Sequence, residues 1–336
     1  MAVTQPAPGR LPLAVLPTPL VPAPRLATAL GLAGRLAVKR DDLTGFAVAG
    51  NKARPLEVLL ADAVAEEATV IVTGGTTGSN FAAAAAAAAA YAGLRAVLVY
   101  AGTEPGRQHP GHQHPNLAAA RYWGARVLFT GDPDRESVDV GIKQAAVQLA
   151  ADGERPYAVP RGGATARSAA GFHWAAAELA GQLGDHAGPV AVVVATGSGG
   201  TLAGLLSGTV ALGRPWRLAG VAVSRSPQET RERVLDLAAG CARILGRPAP
   251  GPDDFELADG RGPGHGRPSP AGRRAAGLAL RTAGLVLDPV YTAKALAALP
   301  AVLGDAARDP ELTTVFWHTG GLLDAVDEIS NETDQE

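Results

Sequence analysis

A chain of 336 residues exceeds the size at which one hydrophobic core keeps growing, so two domains are expected. With 47% hydrophobic and 18% charged residues the chain is globular and not disordered, and its 42 glycines and 26 prolines follow no collagen-like period. A formal net charge of -2 gives no basic footprint for nucleic acid and no polybasic stretch for a membrane, so small molecules are the expected partners. Cys241 stands alone, which excludes a disulfide framework and a thiolate metal cluster and fits a reducing compartment.

Residues 1–24 are studded with proline, carry Arg10 as the only basic side chain and lack the basic region and apolar run of a signal peptide; a cytoplasmic location is the expectation. A strand is expected at Leu36–Lys39 and a helix at Arg54–Glu67, then a strand at Thr69–Thr73 and a helix at Asn80–Gly93. That helix holds nine consecutive alanines, Ala82–Ala90, a run too short to span a bilayer and with the highest helix propensity, which predicts a helix packed closely on both sides. Further on, strands are expected at Ala96–Val99, Val127–Phe129, Val190–Ala195, Leu218–Val223 and Thr314–Trp317. Helices are expected at Asn116–Gly124, Ser137–Asp152, Ala166–Leu183, Thr201–Leu212 and Pro227–Leu245, several with Ser, Thr or Asn at the start and Gly at the stop. Continuous apolar strands alternating with helices indicate an α/β architecture with parallel sheets covered on both faces. The segments Gly102–Pro115, with His109, His112 and His114, and Arg247–Ala271 read as long Gly/Pro-rich loops.

Three segments carry chemistry. In Gly50-Asn51-Lys52 a lysine follows a Gly-Asn turn at a helix start, where the positive local field lowers its pKa and keeps a fraction of the amine neutral, the form that condenses with an aldehyde. For an arbitrary lysine a plain surface position is the stronger reading. Gly74-Gly75-Thr76-Thr77-Gly78-Ser79-Asn80 lies between a strand and the alanine helix, where backbone N–H groups suit a carboxylate. Gly197-Ser198-Gly199-Gly200-Thr201 also follows a strand and opens a helix, with glycines for close approach to a phosphate and two hydroxyl donors. Each turn alone is a weak signal, and neither the Walker pattern nor the G-x-G-x-x-G spacing is met.

Taken together in this order, with Leu16–Leu20, Pro156–Gly163, Asp259–Ser269, Leu287–Tyr291 and His318–Gly321, these segments resemble the fold-type II pyridoxal-phosphate (PLP) enzymes. The branch is the one holding D-cysteine desulfhydrase and 1-aminocyclopropane-1-carboxylate (ACC) deaminase. The resemblance implies two open parallel-sheet α/β domains, a small one at 59–159 and a large one at 1–58 plus 160–336, with PLP in the cleft between them, and a homodimer. It implies that Lys52 forms the Schiff base and moves the α-proton, and that Asn80 bonds the cofactor's phenolic oxygen. Gly197, Ser198, Gly199, Gly200 and Thr201 would hold the phosphate. Ser79, with Asn80 and Phe81, would bind substrate, the Ser79 hydroxyl assisting proton transfer, and Tyr291 would face the substrate side chain. Thr292 would meet the pyridine nitrogen where ACC deaminases carry glutamate; a hydroxyl there weakens the electron sink, which suffices for expelling a good β leaving group and suits cyclopropane opening poorly.

Two departures bear on the substrate. Where these enzymes read Gln-Ser-Asn followed by His or Gln, this chain has Gly78-Ser79-Asn80-Phe81, and their Gly-Pro-Gly-Tyr-Gly is here Gly262-Pro263-Gly264-His265-Gly266. His265 reads either as a general acid or base near neutral pH or as a solvent-exposed loop residue. The expected reaction is α,β-elimination from a small D- or β-substituted amino acid, giving an oxo acid and ammonia. ACC deamination, racemisation and β-replacement are the alternatives on the same scaffold, and a non-catalytic PLP- or ligand-binding protein is the alternative outside catalysis. No metal is expected: the spacing of His109, His112 and His114 invites one, but their prolines and glycines make a chance cluster the stronger reading.

Overall fold

The computed structural model describes residues 9–105, 113–184 and 188–333. In chain order the elements begin with β1 (Leu20–Pro22), α1 (Pro24–Ala29), β2 (Arg35–Arg40), α2 (Ala53–Ala65), β3 (Val70–Gly75), α3 (Asn80–Tyr91), β4 (Arg95–Tyr100), α4 (Pro115–Tyr122) and β5 (Arg126–Phe129). Next come α5 (Ser137–Ala151), β6 (Pro156–Ala158), α6 (Ala170–Leu183), β7 (Val190–Thr196), α7 (Gly200–Ala211), β8 (Arg217–Ala222) and α8 (Pro227–Ile244). The chain closes with β9 (Glu256–Asp259), α9 (Pro270–Ala283), α10 (Thr292–Leu303), β10 (Thr313–His318) and α11 (Leu322–Thr333).

Internal contacts divide the chain into two units, Met1–Ala14 with Phe46–Ala164, and Val15–Gly45 with Thr165–Glu336. The sequence-read bounds at 59 and 159 differ from this grouping because α2 and the turn before it pack on α3. In the first unit the sheet runs β5-β4-β3-β6, parallel throughout, with Val70 beside Arg95 and Val97 beside Arg126. Ile71 and Leu98 point to a core shared with α2, α3 and α4, while Val70, Val72, Val97 and Val99 point to the opposite core with Val138 and Ile142 of α5. This period-2 division of wholly apolar strands is what a sheet buried on both faces requires. The alanine helix α3 is enclosed as expected: Ala82 to Ala89 are all buried, and the absence of side chains beyond Cβ lets its backbone lie close to β3 and β4.

The second unit carries six strands in the order β1-β2-β10-β7-β8-β9, parallel except for β1 against β2. Ala191, Val193 and Ala195 of β7 face a core that includes Leu26 of α1, Ala279 of α9 and Leu296 of α10; Val190, Val192 and Val194 face Leu179, Leu202 and Val234 of α6, α7 and α8. Helices α6 and α7 approach through glycine: a Cβ on Gly204 would meet the carbonyl oxygen of Ala169 and, at 2.5 Å, Cβ of Phe172, and one on Gly208 would meet the His173 carbonyl oxygen at 2.5 Å.

The main strands fall where the apolar runs place them, and three short ones do not. β1 and β6 have three residues each and contain proline, and β9 is a polar edge strand that pairs with β8 inside the segment expected to be loop throughout. Helices α1, α9, α10 and α11 also lie outside the sequence expectations.

Candidate active site

In the first unit, Gly50–Lys52 forms a 3-10 turn that runs directly into α2, with the Lys52 N–H donating to Ala49 O at 3.0 Å and Asn51 buried beneath. Lys52 thus sits at the positive end of a 13-residue helix, and its turn packs on α3. The nearby Glu57 is structural: it is buried, pairs with Arg10 and accepts the N–H groups of Leu13 and Ala14 at 2.9 Å each.

Ser79 is the N-cap of α3, accepting the Ala82 N–H at 3.2 Å, so Asn80 and Phe81 supply N–H groups that precede the first intrahelical bond, from Ala83 to Ser79 O. Asn116, 1% exposed at the start of α4, donates its Nδ2 to Gly78 O at 3.2 Å and to Asn80 Oδ1 at 3.1 Å. Because Asn80 Oδ1 accepts from Asn116, its own Nδ2 is the end of the amide that can donate elsewhere. Phe81, expected on the substrate side, is 2% exposed in the core of this unit, its ring lying where a Cβ on Gly163 would be. His114 caps α4 by accepting the Asn116 N–H on Nδ1 at 3.1 Å. His109 and His112 lie outside the described residues. Among the described residues no three His, Cys, Asp or Glu side chains gather as a metal site.

In the second unit, the turn after β7 leads into α7 through Gly199, whose φ of +93° is one that only glycine adopts freely. A Cβ there would make ordinary contacts at 3.5 Å or more, so conformation, and not lack of space, calls for glycine. The first intrahelical bond of α7 is Ala203 N–H to Gly199 O, leaving the N–H groups of Gly200, Thr201 and Leu202 directed off the helix end. Two arginines face the other side of this turn: Arg225 Nη1 donates to Gly197 O at 3.0 Å and Arg233 Nε to Ser198 O at 2.7 Å. They hold the carbonyls away from the N–H groups and add positive charge to an anion-binding end. Neither was legible from the motif, since both lie more than twenty residues downstream.

Tyr291 stands over the same turn: a Cβ on Gly197 would touch its Cε1 at 2.9 Å. His265 packs edge-on against the Tyr291 ring, centroids 6.2 Å apart at 69°, and is half-buried. The His265 loop is pinned by Lys294, a nearly buried lysine on α10 that donates to Arg261 O and Gly264 O at 2.8 Å each, burial lowering its pKa. Thr292 is fully buried; its hydroxyl donates to Asp288 Oδ2 at 2.5 Å and accepts the Asp288 N–H at 2.8 Å. Asp288, 1% exposed, also accepts the N–H groups of Val290, Tyr291 and Thr292, and its pKa is raised to about 6, by burial first and then by the nearby Asp324. Gly321 packs against it, since a Cβ at 321 would come within 2.6 Å of Asp288 Cβ. His318 orders that glycine turn as a neutral imidazole: burial lowers its pKa, Nδ1 accepts the Gly320 N–H at 3.2 Å, and Nε2 donates to Val286 O at 3.1 Å.

Three sets of observations therefore converge on one chemistry: a lysine at a helix start, a carboxylate-type turn and a phosphate-type turn. The sequence pattern of the pyridoxal-phosphate dependent enzymes matches residues 11–320. The chain belongs to this family. Among its relatives is the D-cysteine desulfhydrase of Salmonella choleraesuis, 37% identical over 316 residues, covering 93% of this chain and 94% of that one. A solved structure described as an ACC deaminase homologue superposes with a TM-score of 0.86 at 32% identity, covering 97% and 96% of the two chains. A fungal L-serine ammonia-lyase from Rhizomucor miehei, at 16% identity, coverage of 96% and 99%, and a TM-score of 0.68, shares the fold alone. The fold is that of the fold-type II PLP enzymes, and PLP is the cofactor. The residues present fit it: a strand-to-helix turn where a Cβ at 197 would meet the Tyr291 ring at 2.9 Å, N–H and hydroxyl donors at Gly200 and Thr201 where α7 begins, and an amine at Lys52. Among the described residues no helix is long and apolar enough to cross a membrane.

Proposed function

We propose that the protein is a PLP-dependent lyase of the desulfhydrase type, removing a β leaving group and the amino group from a small D- or β-substituted amino acid to give an oxo acid and ammonia. The observation that carries this is the 37% identity to a D-cysteine desulfhydrase over nearly the whole chain, together with a hydroxyl residue, Thr292, directly after Tyr291. When bound, PLP supplies an aldehyde for amine condensation and a ring that withdraws electrons from the substrate α-carbon. Lys52 Nζ is the amine that would hold it, and the same amine would serve as the base for the α-proton. Asn80, whose Oδ1 accepts from Asn116, would bond the cofactor's phenolic oxygen. The N–H groups and hydroxyls of 197–201 would take its phosphate, and Ser79 with the first N–H groups of α3 would take the substrate carboxylate. Tyr291 and His265, packed edge to face, would donate or accept a proton at the leaving group. The Thr292 hydroxyl, bonded to Asp288, would be a neutral neighbour for the pyridine nitrogen, which would disfavour cyclopropane opening. A cytoplasmic homodimer with the domain boundaries read from the sequence completes the reading, the lone, buried Cys241 thiol being in keeping with a reducing compartment.

Purified protein should absorb in the visible and lose that band in Lys52→Ala, and should release keto acid from D-cysteine or β-chloroalanine but not from ACC. A colourless protein that takes up no added PLP refutes the reading.

A further inference from the structure

Two stretches of the sequence pattern, 287–291 and 318–321, come together in the second unit around the Asp288 carboxylate. Helix α10 has Tyr291 at its N-cap position, yet the Tyr291 side chain makes no cap bond. The Asp288 carboxylate serves instead: Oδ1 accepts the N–H groups of Val290 at 3.0 Å and Tyr291 at 2.6 Å, while Oδ2 accepts the Thr292 N–H at 2.9 Å and the Thr292 hydroxyl. One side chain thereby fixes three consecutive amides. The carboxylate is fixed in turn from its far side. A Cβ on Gly321 would lie 2.6 Å from Asp288 Cβ, 2.9 Å from Cγ and 3.1 Å from Oδ2, so glycine is what lets that turn close on the acid. His318, at the end of β10, orders the turn by accepting the Gly320 N–H. At the other end of this line of contacts the Tyr291 ring lies against Gly197, in the turn after β7, the strand paired with β10. A hydroxyl would suffice to cap a helix, and a buried acid near Asp324 is a costlier cap. What the carboxylate adds is a two-oxygen grip on 290–292 that sets the direction of the residue between, Tyr291.

We propose that Asp288 is a positioning residue for the cofactor phosphate: by holding the N–H groups of 290–292 it keeps the Tyr291 ring against Gly197, so that the 197–201 turn has its phosphate-binding shape before phosphate arrives. This rests on the PLP-enzyme reading above. Preorganisation of this kind raises affinity by removing the cost of ordering the turn on binding. Asp288 acts through Tyr291 and not by contact with phosphate, since both its oxygens are engaged by 290–292.

The test titrates the PLP-free protein with PLP and with pyridoxal, which offers Lys52 the same aldehyde and has no phosphate, and reads both affinities by absorbance. In Asp288→Ala the PLP affinity should fall about tenfold, while pyridoxal affinity stays within about twofold of wild type. Tyr291→Ala should show the same split. The double variant Asp288→Ala/Tyr291→Ala should bind PLP no more weakly than Tyr291→Ala alone, because the two residues act in series. Asp288→Asn keeps the shape of the side chain and turns one acceptor into a donor facing the amides; it should show the same split and decides alone if the alanine variant does not fold. Unchanged PLP affinity in a folded Asp288 variant, equal losses for PLP and pyridoxal, or additive losses in the double variant overturn the role of Asp288; wild-type protein that takes up no PLP overturns the reading beneath it.

Discussion

Asp288 makes the stability of the second unit depend on pH in the direction opposite to most carboxylates. Its pKa rises from 3.8 to about 6 on folding because the carboxyl is enclosed near Asp324, which the Thr292 hydroxyl and the N–H groups of Tyr291 and Thr292 only partly offset. The folded chain therefore keeps this proton to higher pH than the unfolded chain, and stability falls as pH climbs from about 4 to about 6. A difference of about two units corresponds to roughly 3 kcal/mol in full, of which about 2 kcal/mol develops between pH 4.5 and 7.5. Asp288→Asn abolishes the titration and adds a pH-independent cost from weaker acceptance of the three N–H groups. Urea unfolding of the PLP-free protein can be followed by tryptophan fluorescence, since three of the four tryptophans, Trp174, Trp216 and Trp317, belong to the second unit. The stability difference between variant and wild type should move by about 2 kcal/mol in favour of asparagine across that pH range. Parallel pH profiles for the two proteins would refute the argument.

Gly204→Ala should destabilise the second unit by roughly 2 to 3 kcal/mol by forcing α6 and α7 apart, whereas Gly181→Ala, where a Cβ meets nothing within 4 Å, should stabilise by roughly 0.5 to 1 kcal/mol; thermal unfolding of the pair reads both. Arg225→Ala and Arg233→Ala should each weaken PLP retention by roughly tenfold, measured as cofactor absorbance surviving dialysis, through loss of a guanidinium bond to the carbonyls of Gly197 and Ser198. Lys39→Met should cost roughly 3 to 5 kcal/mol in urea unfolding, because the buried Lys39 ammonium pairs with Glu178 and donates to Thr18 O at 2.6 Å and Gln182 Oε1 at 2.8 Å.

Much of this was legible because strands such as Val190–Thr196 are uninterrupted apolar runs and the turns after β3 and β7 are dense in glycine. Such signals are local, and they place Lys52, Ser79 and Gly199 at strand or helix boundaries without any knowledge of the tertiary fold. The partners that hold those turns are remote in sequence and chemically ordinary: Asn116 for Asn80, Arg225 and Arg233 for the β7 turn, Lys294 for the His265 loop. No local pattern distinguishes them from surface residues. His114 illustrates the limit, since it read as one of three loop histidines and its packing against Gly78 exists only once α4 meets the 78–80 turn. Thr292 illustrates another: its neighbour in sequence terms is Tyr291, whereas its hydroxyl belongs with Asp288, four residues earlier.

The alanine helix has a consequence for how the Ser79 turn is located. A homopolymer presents the same surface on every side, so nothing along Ala82–Ala89 distinguishes one rotation or axial step of α3 from the next. Slippage by one residue, 1.5 Å and 100°, would leave the packing of its middle unaltered. The keying must come from the two ends. At one end are Phe81 seated over Gly163, the Ser79 cap and the Asn80–Asn116 bond; at the other, Tyr91 meets Phe46 edge to face at 5.8 Å. The helix is a smooth shaft locked by its terminal pins, and the residues proposed to hold substrate and cofactor are themselves among those pins.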